Sequence, residues 1–595
     1  MMSKSFIAIL MAIVMMMGGG IAPVLAAGAD LDLAPVSREV IPFGQVARVP
    51  RSFWPVFTPY ENALNAGYNP GIAAHGRRVI GFWLGDASPA AAAYVWGAYP
   101  ADFGYKINMI WSTANYVARA YTAMNNRAGA LWAYRVAYAF VDAYQALIPL
   151  IGGNPDDMEF ARLQIRHTIM GLEATATAFG VLRDGSGARF FSGALHEPRS
   201  GVLFGEQPGR YAVMGGTRRP TALTIYVEFE IENMRDRVMF DLSDTERMHG
   251  VNRNDYSVIQ IAWNFLHEGR TPATVPQRGA MIREAAQFLN STGLPILLRI
   301  GGEVDVWTTP ANPAEFIAAF RFIANIMRQY APNVAMVYSV NSVSSQGIGW
   351  RTFFPGYDYV DWIGISLYST RYFLGNPATT DITAAIYRTG QFANPISFIQ
   401  ELTDEFPTMP IIISEGGVSL YNISNSEDLT DWALPVMRQI YYYIPMLFPQ
   451  VKVIIWFNVY VPGGNQRYDF PMSPRALALY HELTAAEHFI RRGQTESPVT
   501  FAQLGTDSIT MPRNAVTLAV FAPFFSLPDI WVEYRLDGAW LGLSRTIPYR
   551  QTFDFTNRPN GTKHLQINIF SNDTLLQRLN FDLLLHENTA TITPR

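Results

Sequence analysis

Two glutamates in this sequence follow short apolar runs and are surrounded by small residues. Glu303 follows the run 295–300 and two glycines, and Glu415 follows the run 411–414 and precedes two glycines. Small neighbours let a substrate approach a carboxylate closely. Two facing carboxyl groups, one donating a proton while the other attacks carbon or activates water, perform glycosidic bond cleavage. For either glutamate taken alone, a purely structural role is the alternative. The two together predict a glycosidase site.

The two glutamates need a fold that brings the ends of their strands together. From about residue 200, short apolar runs alternate with amphipathic helical stretches, which predicts a parallel sheet buried on both faces. The predicted strands are 202–204, 223–229, 258–263, 296–300, 334–338, 362–366, 411–414 and 453–457. The predicted helices are 280–289, 313–330, 396–405, 429–447 and 474–491. Eight strands over about 290 residues predict an α/β fold, a closed (β/α)₈ TIM barrel with its active site at the C-terminal strand ends.

The competing arrangement is an open, doubly wound sheet. It would be expected to carry a G-x-G-x-x-G fingerprint after an early strand. The sequence has no such fingerprint.

The rest of the chain predicts a helical region before the barrel and a β-sandwich after it. Irregular, proline-rich structure is expected over 28–76, a short buried strand over 79–84, and helices over 106–125, 131–148 and 157–179. Strand-like alternation after Gly493 predicts an immunoglobulin-like β-sandwich, with strands at 516–521, 530–536, 565–569 and 579–585. The predicted domains are a signal peptide (1–27), a mostly helical region (28–195), the barrel (196–494) and an accessory sandwich (495–595).

The N-terminus has the order of a secretory signal peptide. Lys4 precedes the apolar run 6–17, and small residues follow, with cleavage expected after Ala26 or Ala27. An uncleaved membrane anchor is the alternative, because 6–25 is just long enough to span a bilayer. The glycines at 18–20 interrupt such a helix and favour the signal peptide. We therefore expect bacterial export to the medium or the cell surface.

Composition excludes several classes of protein. The chain is 49% hydrophobic and 16% charged, with a formal net charge of −4, which excludes a disordered chain and does not resemble a nucleic-acid binder. Without cysteine there is no disulfide, thiolate metal site or cysteine nucleophile. The nine histidines show no metal-ligand spacing. We expect no cofactor or metal, a polysaccharide partner, no membrane contact beyond the signal peptide, and a monomer.

Six further residues lie at or near predicted strand ends, where they would border a substrate. Trp456 is a candidate platform for a sugar ring, Tyr368 a hydrogen-bond donor to Glu415, and Arg299 an interior cation whose plausible partner is Glu415. The others are Trp263, Trp307 and Asn341. For each of these residues a packing role is the alternative to a sugar contact.

The barrel region resembles glycoside hydrolase family 26, which holds β-mannanases and related β-glycanases. The segments that carry the resemblance are Arg299 to Glu303 followed by Trp307, and residues 337–341, 354–368, 414–417 and 456–458. The resemblance covers roughly 200–490. It implies that Glu303 is the acid/base and Glu415 the nucleophile of a retaining double displacement. The family's histidine before the acid/base is Gly302 here, and its asparagine two residues further on is Asp305.

Three hypotheses follow for the whole chain. The leading one is an exported glycoside hydrolase that acts within a β-linked polysaccharide, with mannan as the first substrate to test. The second is a non-catalytic carbohydrate-binding or cell-surface protein on a degenerate barrel, which the Gly302 departure favours. The third is a structural surface-layer protein, which the long helical N-terminal region favours. In the sandwich, Trp531, Trp540 and Tyr534 are candidates to stack on sugar, with core packing as the alternative.

Overall fold

A computed structural model describes most of the chain. The described residues are 54–84, 100–147, parts of 162–173, and 174–206, 220–249, 252–265, 271–304, 312–341, 351–371, 395–505, 508–524 and 527–595, apart from single positions. They form two compact units, one from the described residues up to 174 and the other from the described residues after it. The predicted signal peptide lies outside the described residues. The predicted domain boundaries stay a prediction.

The first unit is helical in its described residues. Its helices are α1 (Trp54–Asn65), α2 (Asn69–Leu84), α3 (Pro100–Ala123) and α4 (Arg127–Leu147). The predicted helices 106–125 and 131–148 are confirmed. The predicted strand at 79–84 is wrong, because Val79 and Ile80 pack with Ile72 in one helical core cluster. A short apolar run does not by itself distinguish a strand from a buried helix segment.

The segment expected to be a helix over 157–179 ends as a strand, β1 (Thr177–Leu182). Turns of helix precede it in the described positions between 162 and 173. β1 pairs in antiparallel fashion with 500–503 on one side and with 516–521 on the other. Pairing with strands distant in sequence therefore overrides local helical periodicity here.

The second unit contains a closed parallel barrel. The strands before the sandwich are β2 (Leu203–Glu206), β3 (Ala222–Glu228), β4 (Val258–Asn264), β5 (Ile296–Ile300), β6 (Val334–Asn341), β7 (Trp362–Ser369), β8 (Ile411–Val418), β9 (Tyr421–Asn422), β10 (Glu427–Asp428), β11 (Val451–Trp456) and β12 (Gln466–Arg467). The barrel order is β11-β2-β3-β4-β5-β6-β7-β8, and its neighbouring strands are parallel. This confirms the predicted eight-stranded barrel, including the short first strand.

Helices accompany the barrel strands. They are α5 (Ile231–His249), α6 (Gly279–Ser291), α7 (Pro313–Tyr330), α8 (Pro395–Glu405), α9 (Thr430–Arg438), α10 (Ile444–Leu447) and α11 (Pro474–Thr484). The expected helix 429–447 is three pieces, since a π-helical turn at Gln439–Tyr443 separates α9 from α10. α5 was not predicted, because many charged residues mask the buried stripe that includes Met234, Val238 and Leu242. No helix in the described ranges is both long and apolar enough to cross a membrane.

The barrel interior is identified by side chains that meet from all eight strands. Leu297, Val337, Ile412, Val453 and Ile455 belong to this shared buried cluster. Side chains alternate between the two faces of a strand, so every second residue from these positions also points inward. This alternation decides which residues reach the barrel mouth.

Above the apolar layer lies a layer of small and polar side chains. Gln260 donates to the Thr224 hydroxyl at 3.0 Å and to the Ser414 carbonyl at 2.9 Å. Gly364 leaves room for this layer, because a Cβ there would lie 2.5 Å from Ser414 Oγ and 2.8 Å from Ser339 Oγ.

The C-terminal region is built from two antiparallel sheets. Its strands are β13 (Thr500–Gln503), β14 (Ile509–Pro512), β15 (Val516–Phe521), β16 (Ile530–Leu536), β17 (Ala539–Ser544), β18 (Gln551–Phe553), β19 (Gly561–Ser571), β20 (Thr574–His586) and β21 (Thr589–Pro594). One sheet has the order β13-β1-β15-β18 and the other β14-β21-β20-β19-β16-β17. The first sheet therefore needs β1, which precedes the barrel in the sequence.

Candidate active site

Glu303 and Glu415 meet at the C-terminal end of the barrel. Glu303 follows β5, Glu415 lies in β8, and their exposed fractions are only 7% and 8%. The two carboxyl groups interact, since Glu303 is among the neighbours that lower the pKa of Glu415. A hydrogen bond between two carboxyl groups requires that one of them carries a proton. The structure thus brings together the two glutamates that the sequence singled out.

A β-bulge directs Glu415 into the barrel. The register between β7 and β8 shifts after Ile365 and Ile413, so that Ser366 is opposite Glu415 and Ser414 is the extra residue. A bulge re-aims the side chains that follow it, and bulges are common beside active sites. The side chains of Ser414 and Glu415 therefore both point into the barrel interior, although the two residues are adjacent in a strand.

Arg299 anchors Glu415 from below. Its Nη1 donates to Glu415 Oε2 at 2.8 Å, while Nε donates to Ser339 Oγ at 2.9 Å and Nη2 to Ser366 Oγ at 2.8 Å. The pairing predicted between Arg299 and Glu415 is confirmed. The predicted substrate contact is corrected, because Arg299 is 1% exposed and its guanidinium is directed at protein oxygens. Arg299 is a positioning residue.

Two tyrosines donate to the same carboxylate. Tyr226 donates to Glu415 Oε2 and Tyr368 to Oε1, the second at 3.3 Å. Burial, followed by the negative charge of Glu415, raises the pKa of both phenols well above the ordinary value, so both remain donors. The sequence identified Tyr368, and the structure places it as expected. Tyr226 was missed.

The environment holds Glu415 ionised. Burial is the largest influence and raises its pKa, but the Arg299 cation and the hydrogen bonds from Tyr226, Arg299 and Glu303 together outweigh burial. The net result is a pKa of Glu415 below the ordinary glutamate value. An ionised carboxylate beside a proton-bearing partner is the division of roles that acid–base glycosidases use.

Asn341 lies against the other glutamate. Its Nδ2 donates to Glu303 Oε1 at 2.8 Å from the end of β6. The structure places Asn341 in contact with Glu303, and its predicted contact with substrate stays a prediction. This hydrogen bond orients the carboxyl group that would donate a proton.

The structure describes two of the three tryptophans that were predicted to contact sugar, and neither of them faces the barrel mouth. Trp263 is fully buried, donates to the Glu228 carbonyl and packs on Phe229 at 4.4 Å. Trp456 is 2% exposed and stacks on Phe470 at 4.7 Å. Both are out of phase with the inward residues of their strands, so the predicted sugar contacts are wrong and packing is their role.

The third predicted tryptophan, Trp307, lies outside the described residues, as does Asp305.

A different set of aromatic side chains surrounds the glutamates. Phe457 follows Trp456 and has the inward phase; its ring lies 6.4 Å from Tyr226 and 5.9 Å from Tyr368. Tyr468 packs on Tyr368 at 4.9 Å, and burial, followed by the charge of Glu303, raises its pKa. All four rings are partly exposed. The alternation of side chains along the strands could have identified Tyr226 and Phe457 from the sequence. Tyr468 lies beyond the end of a barrel strand, so alternation does not predict its direction.

The loop before Glu303 has a conformation that suits glycine. Gly301 and Gly302 have φ angles of +76° and +61°. A Cβ at Gly302 would lie 2.8 Å from Asn264 Oδ1, at the end of β4. The histidine that the family resemblance would place here therefore does not fit without movement of the loop or of Asn264. The glycine at position 302 therefore fits the backbone conformation of this loop, which the family's histidine would not.

No group of three metal-binding side chains occurs among the residues that the structure describes.

We expect Tyr226→Phe to lower kcat by roughly 10- to 100-fold, because it removes a hydrogen bond to a charged carboxylate. The lost donor also raises the pKa of Glu415. The acid limb of the kcat/KM profile should then move to higher pH, since ionised Glu415 is lost at a higher pH as the pH falls. The measurement is a pH–rate profile beside Tyr357→Phe, a change at an exposed tyrosine. An unmoved acid limb would contradict the assigned contact.

Comparison with known proteins does not assign the chain to a family. No protein-family model and no curated protein matches the chain. Among solved structures, it is similar to a GH26 β-mannanase from Bacteroides ovatus, with 13% identity over 50% of this chain and 93% of that one, and a TM-score of 0.33.

The mannanase Man26 from Bacillus subtilis gives 15% identity over 51% of this chain and 93% of that one, with a TM-score of 0.31. A β-glucuronidase from Bacteroides uniformis gives 11% identity over 68% of this chain and 48% of that one, with a TM-score of 0.34. At these values the likeness assigns no activity to the chain.

Proposed function

We propose that this protein is a glycoside hydrolase that cleaves a β-linked polysaccharide with Glu415 as nucleophile and Glu303 as acid/base. The observation that carries the proposal is the pair of buried carboxyl groups at one end of the barrel, of which Glu415 is held ionised by Arg299. Such unequal carboxyl groups at the C-terminal end of a barrel suit glycosidic cleavage.

The first chemical step forms a covalent intermediate. The Glu415 carboxylate attacks the anomeric carbon and forms an ester bond, while the bond from that carbon to the leaving oxygen breaks. Glu303 gives its proton to the leaving oxygen, so the released sugar departs as a neutral alcohol. Asn341 and the two tyrosines keep the carboxyl groups aimed during this exchange.

The second step reverses these roles. Glu303, now a carboxylate, takes a proton from a water molecule as the water oxygen attacks the anomeric carbon. The ester bond to Glu415 breaks, and Glu415 leaves as the carboxylate that Arg299 again stabilises. The sugar is released with its original anomeric configuration.

The close contact between the glutamates supports retention over inversion. Retaining enzymes hold their carboxyl groups about 5–5.5 Å apart, whereas inverting enzymes need roughly 6.5–9.5 Å to admit a water molecule. The influence of Glu303 on the pKa of Glu415 acts over a short range and favours the smaller spacing. We therefore propose a double displacement.

The substrate class rests on the family resemblance of the sequence, which proposes β-mannan first and other β-glycans next. The proposal includes export through the N-terminal signal peptide and a monomeric protein. The second candidate is a carbohydrate-binding protein without catalysis. It is favoured by Gly302, where the family's histidine is absent and where the space beside Asn264 is closed to it.

The test is reducing-sugar release by the purified mature protein from mannan, xylan, mixed-linkage β-glucan and cellulose. We expect release from one polymer, and loss of that release in Glu303→Gln. Glu496→Gln is the matched control, because its carboxylate pairs with Arg199 at the surface. No release from any polymer, with retention on a polysaccharide affinity gel, would replace the hydrolase proposal by the binding-protein candidate.

A further inference from the structure

The outer face of the six-stranded sheet in the C-terminal region carries rows of side chains that no catalytic role uses. In one row Trp540, Arg535, Gln566 and Asn580 lie opposite one another across β17, β16, β19 and β20. Trp540 is 60% exposed, and Asn580 is also exposed. Cross-strand neighbours are about 4.5–5.5 Å apart, so this row is a continuous strip of planar groups.

A second row beside it holds the face in a fixed arrangement. Glu533, Asn568 and Arg578 are cross-strand neighbours. Asn568 Nδ2 donates to Glu533 Oε2 at 2.9 Å, and Arg578 Nε donates to Asn568 Oδ1 at 2.8 Å. Arg535 joins the rows through two hydrogen bonds to Glu533, at 2.7 and 2.8 Å. These side chains are therefore ordered before any ligand arrives, which lowers the entropy cost of binding.

The three aromatic residues that were candidates for sugar stacking have different environments in the structure. Tyr534 is fully buried. Trp531 stacks on Phe570 at 4.3 Å, and the Arg545 guanidinium lies 5.4 Å from its ring. Trp540 keeps most of its indole open to solvent. Trp540 is thus the one of the three with a ring surface available for stacking.

We propose that this face binds an uncharged polysaccharide chain, with Trp540 under one sugar ring and the amide pair of Gln566 and Asn580 facing the hydroxyls of the next sugars. Within this pair Gln566 Nε2 donates to Asn580 Oδ1 at 3.4 Å, which leaves Gln566 Oε1 and Asn580 Nδ2 for the sugar. The apolar face of a pyranose suits an exposed indole, and hydroxyl groups suit side chains that both donate and accept. The inference does not depend on catalysis in the barrel, and it holds for a hydrolase or for a binding protein.

Charge on the face selects this class of ligand. Glu533 is paired with Arg535, and Asp582 with Arg595 at 3.7 Å. With Arg578 also beside Glu533, charges of both signs are interleaved on the face, and no strip of a single sign is present among its described residues to attract nucleic acid or anionic lipid. A neutral polymer with many hydroxyl groups is the complementary partner.

A second copy of this chain is the competing occupant. β17 is at the end of its sheet, and Leu543, opposite Glu533, is 39% exposed. An edge strand with exposed apolar side chains can pair with another edge. The glycan is favoured because the central rows are polar and planar, whereas a stable protein interface has an apolar core.

The test is affinity electrophoresis of the full chain in native gels that contain mannan, xylan, mixed-linkage β-glucan or cellulose derivatives. Every protein carries Glu415→Gln, so that turnover cannot remove the polymer. We expect one polymer to retard the protein, and Trp540→Ala to weaken that binding by at least about tenfold, the size of effect expected for a central aromatic contact. Asn580→Ala should weaken it less.

The matched control is Phe240→Ala, which removes an exposed aromatic ring (59% exposed) from α5 of the barrel. Phe240→Ala should keep the binding. Equal retardation of the Trp540→Ala protein, or no retardation by any polymer, would overturn the proposal. A dimer in size-exclusion chromatography that Trp540→Ala converts to a monomer would assign the face to self-association. Failure of the hydrolase proposal alone leaves these binding results unchanged.

Discussion

Glu415→Gln is expected to lower kcat on the polymer that the wild type cleaves by at least about 10⁴-fold, the loss seen when a covalent nucleophile is removed. An amide cannot supply the electron pair that forms the ester bond, although it fills nearly the same space. Tyr226, Tyr368 and Arg299 would then surround a neutral group. The measurement is single-substrate kinetics on the best polymer of the panel.

A covalent intermediate gives an independent readout of the same residue. A fluorinated sugar with a good leaving group slows the second step, so the wild type should gain the mass of one glycosyl unit on the peptide that contains Glu415. Glu482→Gln is the control, since Glu482 pairs with Arg438 on the surface. Labelling of another residue would contradict the assignment of the nucleophile. A Glu415→Gln protein that keeps more than a tenth of the wild-type kcat would contradict it as well.

Arg299→Met is expected to lower the free energy of unfolding by about 3–5 kcal/mol, because it leaves the buried carboxylate of Glu415 without its cation. Ser339 and Ser366 also lose their donor. The loss should appear in urea unfolding at neutral pH. Activity should fall together with stability, as the pKa of Glu415 rises when the cation is removed.

The loss of stability caused by Arg299→Met should become smaller as the pH falls. In the wild type the pKa of Glu415 is below its unfolded value, so this carboxylate stabilises the fold above the ordinary glutamate pKa. That contribution is lost as the pH falls through the folded pKa. The difference in stability between wild type and variant should therefore shrink in acid.

The double variant Arg299→Met with Glu415→Leu provides the control. It removes both charges, so most of the lost stability should return even though activity does not. A single variant as stable as the wild type at neutral pH would contradict the buried ion pair.

The barrel was predictable because its signals are long and repeated. Eight apolar runs with helical stretches between several of them leave few alternatives, and the strands at 296–300 and 411–414 matched closely enough to identify both glutamates. The pairing of Arg299 with Glu415 also followed from the sequence, since an interior arginine needs an anion.

Side-chain direction was the weaker part of the prediction. Trp263 and Trp456 were chosen because each ends a predicted strand, but alternation along β4 and β11 turns both away from the mouth. The same alternation, counted from Val453 along β11, would have selected Phe457 instead. The direction of Glu415 was not available from counting, because the bulge at Ser414 breaks the two-residue period.

Two assignments outside the barrel, the helix over 157–179 and the strand over 79–84, were wrong for a different reason. β1 has a local pattern compatible with a helix, and only its partners β13 and β15, far away in sequence, make it a strand. Similarly, α2 ends in an apolar run that resembles a strand when its packing against α3 is unknown. Local periodicity contains no information about such partners.

The position of β1 has a consequence for how the polypeptide is made. On the ribosome β1 emerges before the whole barrel, and its partners β13 and β15 emerge after it. The first sheet of the C-terminal region therefore closes only after the barrel has been synthesised, and until then both edges of β1 remain open to wrong partners. A recombinant fragment that starts after β1 lacks a central strand of that sheet, and one that stops before β13 leaves β1 unpaired.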